Sequence, residues 1–378
     1  MKKKILINLF KFIYKCLCFF PLKNNRLIFV DGQNLNNVEM IVNEIEDMQD
    51  KLDYRVICKN RQMNSNRKVI SQYSLEGIYY LATSKYWIVD SHLQIFLKNN
   101  IFPRMDTKYI QIWHATGAIK KFGQDSCGEY LDSKNVLIKE SKIIDYIIIA
   151  SELWKIPFST AFGVEKEKIK ILGSPRTDVF FKKDRIEKSK QEFFEKNPQL
   201  KGKKIILYAP TFRDNDIKNF KLKLDINYFL KELPENYILL IKLHPNISNW
   251  ENKGHNDKRI KDFSNHKDIN QLMFISDILI TDYSSIALEY SLLNKPMIFY
   301  AYDYHEYKND IRGFYYEYEN FVPGEVVKNT IELIKVLKEK NYDYKKIGKF
   351  AKLNHDYHDG KSSRRLLEFI KSEIEGVL

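Results

Sequence analysis

Along most of this chain, short apolar runs of strand length alternate with stretches of helical period. The runs at 26–31, 54–58, 86–90, 109–113, 146–150 and 169–172 form one series, with helix-like stretches such as 38–49 and 70–83 between them. A second series follows at 205–208, 237–243, 278–281 and 297–300, interleaved with helix-like stretches at 270–275, 286–293 and 329–338. Short apolar strands alternating with helices predict parallel, doubly wound α/β sheets. Between the two series lies 180–204, rich in Lys and Glu and without strand signals, so a domain boundary is expected near residue 185. At 378 residues the chain exceeds one average domain, and a hydrophobic content of 44% is ample for two cores. The expected organisation is 25–185 and 186–360 as two Rossmann-like domains, with a C-terminal segment 361–378 whose helix crosses back to the first.

The net charge of +13 is unevenly placed. Residues 1–26 hold Lys2, Lys3, Lys4, Lys11, Lys15, Lys23 and Arg26, and no acid. Lys4, Asn8, Lys11 and Lys15 would form one polar stripe on a helix, with Ile5, Leu6, Ile7, Leu9, Phe10, Phe12 and Ile13 around the rest. That pattern predicts an amphipathic helix over 1–24 lying in a membrane interface, drawn by anionic lipid. Lys11 and Lys15 break the apolar core a signal peptide needs, no small-residue cleavage site follows, and the run is too short and too charged to span a bilayer. No finger, RNP or helix-turn-helix pattern accompanies the charge, so nucleic acid is not an expected partner. Cys16, Cys18, Cys58 and Cys127 show neither metal-ligand spacing nor a disulfide framework, which fits a reducing cytosol.

The polar residues with chemical potential fall just past the ends of strand-like runs, where open α/β sheets bind ligands. His114 follows Trp113, Pro210-Thr211-Phe212-Arg213 follows Tyr208, His244-Pro245 follows Leu243, and Asp282-Tyr283-Ser284-Ser285 follows Ile280. Two Rossmann-like domains facing a central cleft would gather these ends. Asp282, Ser284 and Ser285 are good N-cap residues, and a helix start offers unpaired N–H groups to an anion, although an ordinary capped helix reads the same way. Trp113-His114-Ala115-Thr116-Gly117-Ala118-Ile119-Lys120 joins an imidazole able to take a proton near pH 7 to a glycine that admits close backbone approach. His244, near Lys242, and Arg213 are candidates for phosphate contact, against a strand-end histidine and an exposed loop arginine. Asp214-Asn215-Asp216 matches the DxD of metal-dependent sugar transferases but is common in polar loops; HExxH, GxSxG and Cys–His clusters are absent. Arg312-Gly313-Phe314-Tyr315 with Glu317, Glu319 and Asn320 could hold a ribose or base, or close a lid.

Taken together, the stretches 113–120, 173–178, 208–214, 243–245, 280–285 with 296–303, and 312–324 resemble the CDP-glycerol glycerophosphotransferase family of teichoic acid synthesis. The resemblance implies a GT-B-like fold, CDP-glycerol as donor substrate, no tightly bound cofactor, and transfer of glycerol phosphate to an acceptor hydroxyl with release of CMP. Divalent-metal dependence and oligomeric state stay open. Carried over to this sequence, His114 is the general base, and His244, Thr211, Arg213, Ser284 and Ser285 bind the donor phosphates with Asp282 beside them. His244 also stabilises charge on the departing CMP. Arg312, Glu317 and Asn320 fall at the cytidine or glycerol end, and Trp113, Gly117, Lys120 and Arg176 on the acceptor side or in the cleft. The polymerases typically read WHGTP-L-K where this chain has Trp113-His114-Ala115-Thr116-Gly117-Ala118-Ile119-Lys120, and they carry a longer N-terminal region. Both departures are more similar to the primase branch, whose acceptor is a lipid-linked disaccharide at the cytoplasmic face of the membrane. Chain-extending glycerol- or ribitol-phosphate transferases, a GT-B nucleotide-sugar glycosyltransferase, and a silent membrane-bound binding protein are the rival readings.

Overall fold

The computed structural model describes residues 2–31, 36–49, 52–58, 69–126, 131–211, 213, 220–244, 247 and 257–376. Phe212, Asp214-Asn215-Asp216, Pro245 and Cys127 lie outside the described residues. Two compact units emerge, one comprising Met1–Thr116, Phe122–Phe181 and His355–Leu378, the other Gly117–Lys121 and Lys182–Asn354.

The first unit is built on a seven-stranded sheet of β1 (Lys23–Asp31), β2 (Asp53–Cys58), β3 (Val69–Ser71), β4 (Ser84–Val89), β5 (Lys108–Gln111), β6 (Tyr146–Ile149) and β7 (Ile169–Ile171). Its order is β3-β2-β1-β4-β5-β6-β7 and every pairing is parallel. Side chains alternate across a strand, so Leu27 and Phe29 of β1 join a core with Val38, Ile41, Val42 and Ile45 of the helix Asn36–Asp47. Leu366, Leu367 and Ile370 complete that core from the C-terminal helix Ser362–Glu375. Arg364 Nε donates to Glu44 Oε1 at 2.8 Å across the same pair of helices.

The second unit carries a six-stranded parallel sheet of β8 (Lys204–Tyr208), β9 (Tyr237–Ile241), β10 (Ile260–Asp262), β11 (Ile278–Thr281), β12 (Met297–Tyr300) and β13 (Val326–Val327), ordered β10-β9-β8-β11-β12-β13. One face packs Ile206, Leu239, Ile280 and Ile298 against Phe229, Leu333, Ile334 and Leu337 of the helices Ile226–Glu232 and Thr330–Glu339. In both sheets the winding direction reverses beside the first strand of the unit, between β1 and β4 and between β8 and β11. Such switch points open a crevice beyond the strand C-termini.

Several expectations need correction. The helix expected over 70–83 is strand β3 followed by a shorter helix, Leu75–Thr83, whose N-cap Ser74 accepts from Gly77 N at 3.0 Å. Val69 and Ile70 are β-branched, and the turn Gln72–Ser74 interrupts any helical run. The charged stretch expected to hold the domain boundary carries the helix Lys183–Lys196, which buries little besides Phe193. Strands β10 and β13 are too short to show a sequence pattern. Gly117–Lys121, expected in the first domain, belongs to the second unit, and the chain rejoins the first unit at His355 rather than 361.

The N-terminal helix spans Lys2–Leu17. One side packs against the helix Leu75–Thr83, with Tyr14 buried and donating to Phe102 O at 2.9 Å and the Phe10 ring 6.0 Å from Phe96. The other leaves Ile5, Leu6, Leu9 and Phe12 exposed at 59%, 65%, 51% and 66%. Among the described residues no helix is long and apolar enough to cross a membrane.

Candidate functional site

In the first unit, β5 delivers His114 to the carboxyl edge of the sheet, where it is exposed. Ile112 still pairs, donating to Val89 O at 2.8 Å, and then the backbone turns sharply because Trp113 takes a left-handed φ of 50°. That conformation costs a bulky L-residue about 1–2 kcal/mol, so the surroundings must hold it. Trp113 N donates to Gln111 Oε1 at 2.9 Å, and Asn37 Nδ2 donates to Trp113 O at 2.7 Å. The indole stacks on Phe122 at 5.2 Å, and Phe162 meets its edge at 5.2 Å.

His114 Nδ1 lies 3.2 Å from the Asp90 carbonyl. A carbonyl only accepts, so in the neutral ring this bond places the proton on Nδ1 and the lone pair on Nε2. Arg176, expected on the acceptor side, is buried, and its Nη1 donates to the His114 carbonyl. That bond holds the histidine's backbone. Two residues downstream, Asp178 accepts from Ser362 N and Ser363 N, each at 2.8 Å, and so caps the C-terminal helix.

In the second unit the switch point is occupied by a buried charge network. Asp282, one residue past β11, accepts from Thr211 N at 2.8 Å, from Tyr283 N at 2.6 Å and from Arg213 Nη1 at 2.7 Å. Arg213 binds Asp303 through Nε and Nη2, each at 2.8 Å, and also donates to Thr211 O. Its guanidinium lies 5.1–5.2 Å from the ring centres of Tyr283, Tyr302 and Tyr307 and is only 8% exposed. Burial alone would disfavour its charge, but Asp282 and Asp303 outweigh that and hold it protonated more firmly than in water. Arg213, expected to bind the donor phosphates with Asp282 beside them, is thus paired with Asp282 and Asp303, and the pairing braces the turn at Ser284 and Ser285.

Those two serines are half-buried. Ser285 takes the N-cap position of the helix Ile286–Tyr290 without a side-chain cap, and Ser284 Oγ is 3.4 Å from Ile286 N. Thr211 Oγ1 is buried with no hydrogen-bond partner among the described residues.

His244 follows β9 and is half-buried. Burial first, then the Lys120 and Lys242 cations, push its pKa down to about 4, so the ring is neutral at physiological pH. Lys120 reaches this neighbourhood because its segment is stitched to the aromatic loop. Lys121 N donates to Gly313 O at 3.1 Å, Tyr315 N donates to Ile119 O at 3.3 Å, and Lys120 bridges Phe314. Gly313, at a φ of 69°, makes the turn possible. The Phe314 ring stacks on Tyr318 at 4.9 Å and Tyr307 at 5.8 Å.

Two motifs that stand far apart in the sequence thus meet in one unit. Arg312 sits half-buried beside that turn, whereas Glu317 and Asn320 are exposed, with Glu317 Oε2 paired to Lys308 at 3.0 Å. Gly117 is buried. Asn37, Tyr283 and Asp303 carry structural weight that sequence reasoning missed. Among the described residues no group of three or more His, Cys, Asp or Glu side chains could hold a metal ion.

The family model described as CDP-glycerol:poly(glycerophosphate) glycerophosphotransferase matches residues 12–372. The chain is 34% identical over 376 residues to the teichoic acid poly(ribitol-phosphate) polymerase of Bacillus spizizenii, covering 97% of this chain and 60% of that protein. It is 34% identical over 303 residues to the teichoic acid glycerol-phosphate primase of Bacillus subtilis, covering 79% of this chain and 77% of that one. A solved structure of the wall teichoic acid polymerase TagF superposes with a TM-score of 0.84 at 26% identity, covering 100% of this chain and 96% of the other. With a family match over nearly its whole length and relatives at this identity, the chain belongs to the CDP-glycerol:poly(glycerophosphate) glycerophosphotransferase family.

Proposed function

We propose that this protein transfers glycerol phosphate from CDP-glycerol to a hydroxyl of an undecaprenyl-diphosphate-linked disaccharide, releasing CMP and priming a teichoic acid chain. The acceptor oxygen attacks the β-phosphorus, the bond to the bridging oxygen breaks, and CMP leaves with the electron pair. His114 Nε2 takes the hydroxyl proton. The observation that carries this reading is the His114 imidazole at a strand end, its Nδ1 tied to the Asp90 carbonyl so that Nε2 is the basic nitrogen.

The donor site is the switch point between β8 and β11, where Ser284, Ser285 and the Thr211 hydroxyl meet the phosphates and neutral His244 donates a hydrogen bond. Lys120 supplies positive charge, Arg312 serves the donor from the neighbouring loop, and Glu317 and Asn320 serve the cytidine or glycerol end. Catalysis of this kind rests on positioning and charge stabilisation. The exposed apolar side of the helix Lys2–Leu17 holds the enzyme on the cytoplasmic face of the membrane, where a lipid-linked acceptor is presented.

Ribitol phosphate is the second reading, supported by the match to a poly(ribitol-phosphate) polymerase over 97% of this chain. Mass spectrometry of the product from CDP-glycerol or CDP-ribitol with a lipid-linked disaccharide analogue separates the possibilities. One added glycerol phosphate is the expected product; a ladder makes the enzyme a polymerase, and selective use of CDP-ribitol replaces the donor. His114→Ala should lower kcat by about 10²–10⁴-fold, and near-normal turnover would remove His114 from the mechanism.

A further inference from the structure

We infer that Asn37 is a positioning residue for His114, acting through the backbone on either side of it. This rests on the proposed role of His114, but its direct test does not depend on turnover. Asn37 is 1% exposed, at the start of the helix Asn36–Asp47, and both ends of its amide are committed. Nδ2 donates to the Trp113 carbonyl at 2.7 Å, and Oδ1 accepts from the Arg176 N–H at 3.1 Å. A carbonyl only accepts and an N–H only donates, so the amide orientation is determined from both sides. Arg176, its backbone held by Asn37, donates through Nη1 to the His114 carbonyl.

The carbonyls of Trp113 and His114 are consequently clamped by one connected pair of side chains. Between them lies the peptide that sets the direction of the imidazole, and the preceding residue has a left-handed φ of 50° that an unsupported tryptophan would leave. The clamp keeps His114 Nδ1 on the Asp90 carbonyl and so fixes the tautomer whose Nε2 is basic. Asp cannot replace Asn here: a carboxylate can receive the Arg176 N–H but sets an oxygen against the Trp113 carbonyl.

The experiment uses the full chain with ¹⁵N-labelled histidine. Wild-type His114 is expected as the Nδ1–H tautomer. In Asn37→Asp the tautomer signal should redistribute, and kcat should fall about 10–100-fold, the range set by a misplacement near 1 Å, with KM for CDP-glycerol changed less than about two-fold. Arg176→Lys, which frees the His114 carbonyl while leaving Asn37 in place, should give a smaller change in the same direction and serves if Asn37→Asp does not fold. A wild-type Nε2–H tautomer, or an unchanged His114 signal in both folded variants, overturns the inference. Normal turnover in His114→Ala, with the tautomer shift in Asn37→Asp intact, would instead overturn the proposed role of His114 and leave the clamp standing.

Discussion

The Arg213 guanidinium donates through Nη1 to Oδ2 of Asp282 at 2.7 Å, and both side chains are buried beside the turn that carries Ser284 and Ser285. Removing one partner of such a pair strands a charge in low dielectric, at about 3–5 kcal/mol. Arg213→Ala should therefore lower the melting temperature of the second unit sharply. Arg213→Lys keeps the charge but loses the fork onto Asp303, so its cost should be smaller, about 1–3 kcal/mol. Calorimetry and donor KM read the two effects apart. An Arg213→Lys protein that melts normally yet binds CDP-glycerol poorly would make Arg213 a phosphate ligand after all.

His244 has its pKa pushed down to about 4 by burial and by the Lys120 and Lys242 cations, against an unfolded value of 6.5. Between those two values the unfolded chain binds a proton that the folded chain refuses. Its share of stability is therefore fully present above pH 6.5 and is lost as pH falls toward about 4. His244→Gln should flatten that part of the stability profile. Lys120→Gln removes one of the repelling cations, so the His244 pKa should rise, as followed by a histidine NMR titration. An unmoved titration would mean that Lys120 does not act on His244.

How much of this could be read from the chain depends on how far away a residue's partner lies. The strand, turn and helix at 278–293 are legible because the apolar run Ile278-Leu279-Ile280 stops at Asp282 and the helical period resumes at Ile286. Hydrophobic periodicity is a local signal, and it also reveals most of both sheets. What Asp282 and Arg213 do is not legible, since Asp303 stands 90 residues beyond Arg213 and nothing local marks it as a partner. Asn37 is one asparagine among Asn34, Asn36 and Asn37, and only the fold brings it to Trp113. The strand β3 is not legible either, because three residues are too few for a period.

The helix Lys2–Leu17 is wedged against the first unit by Tyr14 and Phe10, while Ile5, Leu9 and Phe12 remain open at the i, i+4, i+7 spacing of one face. Replacing those three by serine leaves the packed side untouched, so the fold should hold to within about 0.5 kcal/mol per site. Sedimentation with vesicles rich in anionic lipid should nevertheless fall strongly, and wild-type binding should weaken from 0.1 M to about 1 M salt as the lysine contribution is screened. Undiminished sedimentation of the triple variant would move the membrane contact to another surface.

Asp178 and Gly173 together determine how the C-terminal helix docks on the first unit. Asp178 accepts from Ser362 N and Ser363 N at 2.8 Å each, while burial outweighs these bonds and raises its pKa above the usual carboxylate value. Each carboxylate oxygen takes one N–H, so Asp178→Asn keeps one acceptor but sets its Nδ2 against the other N–H, and Asp178→Ala leaves both without an acceptor; each should cost about 1–2 kcal/mol. Gly173 has a φ of 89°, and a Cβ there would lie 2.3 Å from Ser362 Oγ. Gly173→Ala must then displace the first turn of the helix or distort its own backbone, and either change loosens the packing of Leu366, Leu367 and Ile370 on the helix Asn36–Asp47. Hydrogen exchange across Ser362–Glu375 should accelerate in Gly173→Ala, in Asp178→Ala and in Asp178→Asn. Protection unchanged from the wild type in all three would mean that the hydrophobic contacts alone hold the helix, and that its cap is incidental to the core it completes.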